Sequence, residues 1–470
     1  MERPIVVEDP CPPHVLMRRL LRAFPDARRP FLLESAGEHA ADGRWSFLGI
    51  NPHRALRGWA DRTETVEFST ESVARAMTDE RHPLDALADT LDRVATPPPA
   101  DDVPPFRSGA VGALAYDLGE TIETTAAAPE PFADAPLLDM GLYNGVIAYD
   151  HWANVAWAYA TEVENAPDPA WLRDAVSLMA RPATASDDLT PCLASGPISA
   201  TVTPEAYVKA VRAAKEYIAS GDVYQVNVAQ EFGAPCAAPP FDVYASLRRA
   251  NPAPFAAFME MGDYAIASSS PERFLRYDPC SRRIETKPIK GTRPRGRTDG
   301  EQAGYAAELL GSVKDAAELL MIVDLERNDL GRICEYGSVR VPALREVERF
   351  ATVQHTVATV EGRLRDGLTV ADILRATFPG GSITGAPKIR AMQVIAELET
   401  ARRGIYTGSL GYFDAGGGFD LNIAIRTIVV RDGQASVWAG SGIVADSDPH
   451  EEYRETMSKV GPLLASLGSR

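Results

Sequence analysis

Lys290 is the residue around which a reaction could be built. It stands in K-P-I-K-G-T-R-P-R-G-R, residues 287–297, where five cationic side chains fall within eleven positions. An amine crowded by Lys287, Arg293, Arg295 and Arg297, and withdrawn from water, loses its proton more readily than a free lysine and becomes a nucleophile. The plainer alternative is five surface charges that never meet. Carboxylates supply a second ingredient. In K-D-A-A-E-L-L-M-I-V-D-L-E-R-N-D, Asp315 and Glu318 are three apart on one helix face, and Leu319, Met321, Ile322 and Val323 give that helix a buried character. In D-P-H-E-E-Y-R-E-T-M-S-K, Glu452, Glu455 and Lys459 follow at i, i+3 and i+7. Two such helices converging would suit Mg2+, which takes carboxylate oxygens and keeps waters for a substrate to replace. Taken singly, each acid pair is more often a solvated helix face.

Other stretches add weaker signals. F-P-G-G-S-I-T-G-A-P-K, residues 378–388, is a glycine-rich turn entering a helix with Pro387 at an early position. Its free N–H groups could meet an anion, yet Ala386 and Pro387 interrupt the G-K-[ST] of a phosphate loop. G-S-G-I-V-A, residues 440–445, matches G-x-G-x-x-A, but the next helix begins only near Asp448, which excludes a dinucleotide fingerprint. His355 lies in an alternating extended run, where a lone histidine is more often structural than catalytic. Arg426 stands alone among the apolar residues of L-N-I-A-I-R-T-I-V-V and needs an anionic partner such as a carboxylate ligand.

The elements that must position these residues change character along the chain. Residues 1–165 mix short strands and loops, among them R-P-F-L-L-E-S, R-W-S-F-L-G-I and G-A-V-G-A-L-A-Y-D-L. A linker is expected over 166–200, and residues 201–470 form the catalytic part. T-P-E-A-Y-V-K-A-V-R-A-A-K-E-Y-I-A-S-G-D predicts an amphipathic helix with Thr203 as cap, Pro204 first and Gly221 past its end. G-S-L-G-Y-F, F-D-L-N-I-A-I-R-T-I-V-V and Q-A-S-V-W-A-G predict a meander of three antiparallel strands. The fold class expected is α+β, with antiparallel sheets flanked by helices.

Composition bounds the function. In a chain of 470 residues, the net charge of −17 argues against nonspecific binding to a nucleic acid backbone, and no apolar run is long enough to cross a membrane. No secretory leader is read at the start, so a cytoplasmic location is expected. Five cysteines without C-x-x-C spacing, Cys11, Cys192, Cys236, Cys280 and Cys334, argue against a zinc site or a disulfide framework.

Six stretches in order, P-I-K-G-T-R-P-R-G, E-L-L-M-I-V-D-L-E-R-N-D-L-G-R-I, F-P-G-G-S-I-T-G-A-P-K-I-R-A-M, R-R-G-I-Y-T-G-S-L-G-Y-F, N-I-A-I-R-T and W-A-G-S-G-I-V-A-D-S-D-P-H-E-E-Y-R-E-T, resemble the chorismate-utilising enzymes. The resemblance is dense from Thr203 to Leu467 and thinner before it. Anthranilate synthases read P-I-A-G-T where this chain reads P-I-K-G-T, the form of aminodeoxychorismate synthases, in which the lysine is the proposed covalent nucleophile. Relatives that add water carry a lysine base where this chain has Gln225. The resemblance therefore implies the aminodeoxychorismate branch: chorismate and ammonia give 4-amino-4-deoxychorismate for 4-aminobenzoate and folate, with Mg2+ as cofactor.

It further implies Glu318 and Glu455 on the metal, with Asp315 and Glu452 in support and Lys459 nearby. Lys290 and His355 would stand at the reacting ring. Gly291, Thr292 and Ser382 would border the substrate, with Tyr406, Arg426 and the backbone of Gly440, Ser441 and Gly442 on its enolpyruvyl carboxylate. Glu34, Ser35, Asn251, Pro252 and Phe255 resemble the family's tryptophan pocket. Leu319 and Ala358 depart from the common residues at their positions. No cysteine stands in G-x-C-x-G, so a separate glutamine amidotransferase subunit is expected to supply ammonia. The rival readings are anthranilate synthase component I and a non-catalytic regulator that binds chorismate or tryptophan.

Overall fold

Short apolar spans, too brief for helices, pair into two antiparallel sheets of twelve strands each among the described residues. The computed structural model describes residues 4–36, 43–69, 73–98, 103–123, 135–184, 187, 196–350 and 353–468. Cys192 and most of the tract 185–195 expected as linker lie outside them; the cysteines at 11, 236, 280 and 334 are free thiols. In the first sheet, Phe31–Glu34 pairs with Phe255–Glu260, followed by Tyr264–Ser270, Thr427–Arg431, Gln434–Ile443 and Gln225–Pro235. In the second, Ile289–Pro294 pairs with Val353–Arg363, then come Arg283–Lys287, Arg273–Asp278, Phe419–Asn422, Ser409–Asp414 and Gly109–Leu114. The class is α+β. Strands from before residue 165 and after residue 201 share both sheets, so the two parts of the sequence build one sandwich.

The sheets face each other across an apolar layer in which Phe31, Phe47 and Ile266 of the first meet Val111, Leu410 and Tyr412 of the second. Phe47 and Tyr412 pack edge to face at 5.3 Å, and each such buried ring contributes about 2–3 kcal/mol. Helices cover the outer faces. Pro13–Ala23, Trp171–Met179 and Pro240–Ala250 pack Leu16, Leu172 and Tyr244 on the first sheet, and Pro83–Arg93, Val313–Gly331 and Val370–Thr377 pack Leu87, Leu319 and Leu374 on the second.

The helix starts follow the sequence closely. Thr203 caps Pro204–Ala219 by accepting from Ala206 N at 3.2 Å, and Gly221 follows with φ of 83°. Ser312 and Asp448 likewise cap Val313–Gly331 and Pro449–Ser466, the two acidic helices. Two expectations need correcting. Pro387 is the residue before the helix Lys388–Leu398, with extended backbone, and not an early helical position. The stretch read as a single strand through Arg426 is two strands in different sheets, because the chain leaves the second sheet after Asn422 and enters the first at Thr427.

Candidate active site

Twice the chain passes from one sheet to the other at the same place. Tyr264–Ser270 lies in the first sheet and Arg273–Asp278 in the second, so Pro271 and Glu272 form one crossing; residues 423–426 form the other. The crossings run side by side. Ser270 Oγ donates to Ile423 O at 2.6 Å, Ile423 N to Glu272 O at 3.0 Å, and Ser269 N to Arg426 O at 3.1 Å. Arg426 adopts a left-handed φ of 51°, a conformation that costs a non-glycine residue about 1 kcal/mol and that collects at functional sites. Its guanidinium has no hydrogen-bond or ion-pair partner among the described residues; it feels the charge of Glu272, and burial lowers its proton affinity. Arg426 was singled out as a charge inside a strand. Its position at a crossing explains why no strand neighbour neutralises it.

Glu272 was missed by sequence reasoning. S-S-S-P-E-R-F reads as continuous strand, although the proline before the glutamate marks a break that a central strand does not tolerate. The carboxyl is buried and its pKa is raised by that burial, against the opposing charges of Lys290 and Arg426. Ile289 N donates to it at 3.5 Å, and the Ser382 hydroxyl lies beside it without closing a normal hydrogen bond.

Lys290 enters from the edge strand Ile289–Pro294. Gly291, with φ of 68°, shifts the pairing register between Lys290 and Thr292 and so forms a bulge, the device by which a strand re-aims a side chain. Lys290 Nζ donates to Ser382 O at 3.3 Å. Its pKa is lowered, as expected, by burial, but the cations of the basic run are not among the causes. Burial outweighs the attraction of Glu318 and Glu272, and the cation that assists is Lys459. The basic run itself disperses. Lys287 pairs with Glu348 at 2.8 Å, Arg293 reaches Asp315 and Glu308, each at 3.5 Å, and Arg295 donates to Phe350 O.

His355 is buried on Val353–Arg363, whose inward and outward positions do not alternate cleanly as the sequence suggested. Its Nδ1 lies 3.1 Å from Gly291 O and 3.0 Å from Thr292 Oγ1. A carbonyl only accepts, so Nδ1 carries the hydrogen. Burial, helped by Arg426, pushes the pKa down to about 3, which leaves the ring neutral with a lone pair on Nε2, an atom that is buried and unpartnered.

The acidic residues divide. Glu318 is raised by burial and feels Lys290, Asp315 and Glu455. Glu455 is held below the ordinary carboxyl value, against burial, by Lys459, with which it pairs at 2.7 Å. Asp315 abuts Gly291, where an added Cβ would sit 3.0 Å from its carboxyl. Glu452 is buried, and its carboxylate accepts from Ser447 Oγ at 2.7 Å. No group of three acid, histidine or cysteine side chains among the described residues holds a cation unaided. Magnesium does not require one: two carboxylates on separate helices, near each other and answered only by lysines, fit an ion that completes its shell with water and substrate.

On the first sheet, Lys459 Nζ donates to Gly440 O at 3.0 Å, and Ser441 is buried with its hydroxyl toward Thr456. A Cβ at Gly442 would lie 2.5 Å from Gln225 Nε2, so the glycine leaves room for that side chain, whose amide nitrogen and oxygen are both buried without partners. Tyr406 stacks on Trp438 at 5.8 Å and lines a cavity of about 550 Å³ with Asp117, Glu231 and Arg403. A further cavity, of about 290 Å³, is lined by Glu34, Ser35, Pro254 and Phe255; Asn251 and Pro252 do not line it. There Glu34 is already engaged by Tyr244 Oη at 2.5 Å, Arg248 Nε at 2.6 Å and His14 Nδ1 at 3.3 Å.

The family model for chorismate binding enzymes matches residues 30–465. This chain belongs to that family. Within it, aminodeoxychorismate synthase component 1 of Escherichia coli is 41% identical over 404 residues, covering 86% of each chain. The Bacillus subtilis protein of the same name is 38% identical over 92% of this chain and 90% of its own. Anthranilate synthase component 1 of Thermus thermophilus is 38% identical over 93% and 92%. Among solved structures, anthranilate synthase component I from Streptococcus pneumoniae superposes with a TM-score of 0.76 at 32% identity, over 90% of this chain and 93% of that one. The α+β sandwich is thus the fold of the chorismate binding enzymes.

Proposed function

We propose that the chain is the aminating component that converts chorismate and ammonia into 4-amino-4-deoxychorismate. The observation that carries this reading is Lys290, a half-buried lysine whose amine has lowered proton affinity and donates to the carbonyl of Ser382, near Glu272 and Glu318. The relatives named aminodeoxychorismate synthase component 1 agree with it.

In the reaction, the Lys290 amine adds to ring carbon 2 as the ring double bond shifts and the C4–oxygen bond breaks. Glu272, whose pKa is raised by burial, is the acid that gives a proton to the departing hydroxyl, which leaves as water. Ammonia then adds at C4, the double bond returns, and Lys290 departs as the neutral amine. The new C4 ammonium gives its extra proton to the Glu272 carboxylate, which restores the starting state. Arg426 meets a substrate carboxylate, and His355 Nε2 accepts a hydrogen bond from the bound ring. Glu318 and Glu455, with Asp315 and Glu452 in support, would hold magnesium, whose charge when bound neutralises the ring carboxylate. Gln225 is a neutral amide, unable to take a proton from water, and this favours ammonia as the incoming nucleophile. Ammonia would come from a separate glutamine amidotransferase, in keeping with the "component 1" of the relatives' names. The setting proposed is the cytoplasm; among the described residues no helix is long and apolar enough to cross a membrane.

The second reading, anthranilate synthase component I, is favoured by the Thermus relative and separates by product, since it releases pyruvate. Incubating the pure chain, and Lys290→Ala beside it, with chorismate, magnesium and ammonium decides by product mass. Aminodeoxychorismate from the wild type alone supports the proposal, and anthranilate sinks it.

A further inference from the structure

Arg403 is a buried cation that the reaction above leaves unused. It is 3% exposed, and all five of its N–H donors are taken. Nε and Nη2 grip Glu399 at 2.9 and 2.7 Å, Nη1 donates to Ile383 O at 3.1 Å and Thr407 Oγ1 at 3.2 Å, and Nη2 also donates to Asn227 O at 3.0 Å. Glu399 in turn accepts from Ala229 N at 2.9 Å. Tyr116 and Tyr406 lie over the guanidinium, their ring centres 4.7 and 5.7 Å away.

Three of these acceptors, Ile383, Asn227 and Thr407, connect to residues of the reaction site. Ile383 follows Ser382, whose carbonyl holds Lys290. Asn227 is on the strand that presents Gln225 to Gly442. Thr407 N donates to Ala424 O at 2.8 Å, within the crossing that carries Arg426. A buried ion pair adds little net stability over apolar packing, whereas a rigid planar fork with every donor satisfied fixes distances well. We propose that Arg403 is a positioning residue, which holds Ser382, Gln225 and Arg426 in register with one another through its hydrogen bonds to Ile383, Asn227 and Thr407, the last of which is tied to the crossing at Ala424. The proposal rests on Lys290 as the reacting group.

The test uses the full chain as Arg403→Lys and Glu399→Gln. Arg29→Lys is the control, since Arg29 pairs with the buried Asp139 outside the site. Lysine keeps the charge and loses the fork. With chorismate, magnesium and ammonium, Arg403→Lys should lower kcat about 10- to 100-fold while KM for chorismate changes far less. The labelling rate of Lys290 by trinitrobenzenesulfonate, read by peptide mass, should change several-fold while other lysines keep theirs. Arg29→Lys should lower the melting temperature and leave kcat and Lys290 labelling alone. Wild-type kcat and Lys290 labelling in a folded Arg403→Lys would overturn the proposal. So would losses that match the fall in folded fraction. If Arg403→Lys does not fold, Glu399→Gln, which keeps the acceptor for Ala229 N, decides by the same readouts. A wild type that makes no aminodeoxychorismate defeats the functional reading alone, and the Lys290 labelling still decides the role of Arg403.

Discussion

The reaction site and the cavity beside Glu34 are both polar and partly buried, but they treat their polar atoms in opposite ways. Around Glu34, one carboxylate has three side-chain partners, and Ser35 Oγ lies 2.9 and 3.1 Å from the carbonyls of Trp45 and Pro254, either of which its hydrogen can reach. Around Lys290, among the described residues, the guanidinium of Arg426 has no hydrogen-bond partner, and His355 Nε2, Ser382 Oγ and both amide atoms of Gln225 are buried and unmatched. Folding rarely leaves such groups open, because each costs about 1–3 kcal/mol. The saturated region behaves as structure, and the unsaturated one as a place where a ligand completes the bonding.

Lys290→Ala breaks this contrast most severely, with an expected fall in aminodeoxychorismate formation of about a thousandfold or more at unchanged melting temperature, read by product mass and a thermal scan. Glu272→Gln keeps the shape of the carboxyl and removes its proton; kcat should fall about 100- to 1000-fold. Glu34→Gln should do the reverse, leaving kcat within about twofold and lowering stability to urea by about 3 kcal/mol, since it strips the charge that holds Arg248.

Glu326 sharpens the contrast through pH. This carboxyl, buried against Thr286 Oγ1 at 2.7 Å, has its pKa pushed up to about 8 by burial. Charged groups near it are Glu272, Asp329 and Lys388. Between about pH 4.5 and 8 the folded chain keeps a proton there that the unfolded chain has lost, so stability falls as pH rises through that window. Glu326→Gln should therefore raise stability at pH 8 by about 1–3 kcal/mol, by urea titration, and change little at pH 4. The smallest effect concerns tryptophan, the ligand that the family resemblance suggests beside Glu34. With that carboxylate occupied, millimolar tryptophan should leave the melting temperature within about 1 °C.

Much of this was legible in the sequence where local rules decide. Thr203, Pro204 and Gly221 bracket a helix because capping and backbone preferences act over a few residues. Lys290, His355 and the two acidic helices were singled out for their residue types and spacing. Crossings between sheets were not legible. The strand-like run continues through Arg426, Pro271 is the one local sign of the crossing at Glu272, and pairing partners far along the chain are what reveal that the strand has changed sheets. The basic run misled for a related reason: a bulge at Gly291 parts Lys290 from cations that are its neighbours only in sequence. Nothing in the sequence marks Glu326, since burial of a single side chain leaves no periodic trace.

The interleaving of early and late strands has a consequence for how the chain is made. Gly109–Leu114 lies between Leu138–Tyr143 and Ser409–Asp414, and Phe31–Glu34 between Trp45–Gly49 and Phe255–Glu260. The emerging N-terminal strands therefore have an open edge until partners roughly 220 to 300 residues later leave the ribosome. Neither sheet can close during synthesis, and the nascent chain must hold its apolar faces clear of other chains for most of its translation. Yield at high expression should thus depend on chaperone supply more than the stability of the finished sandwich would suggest.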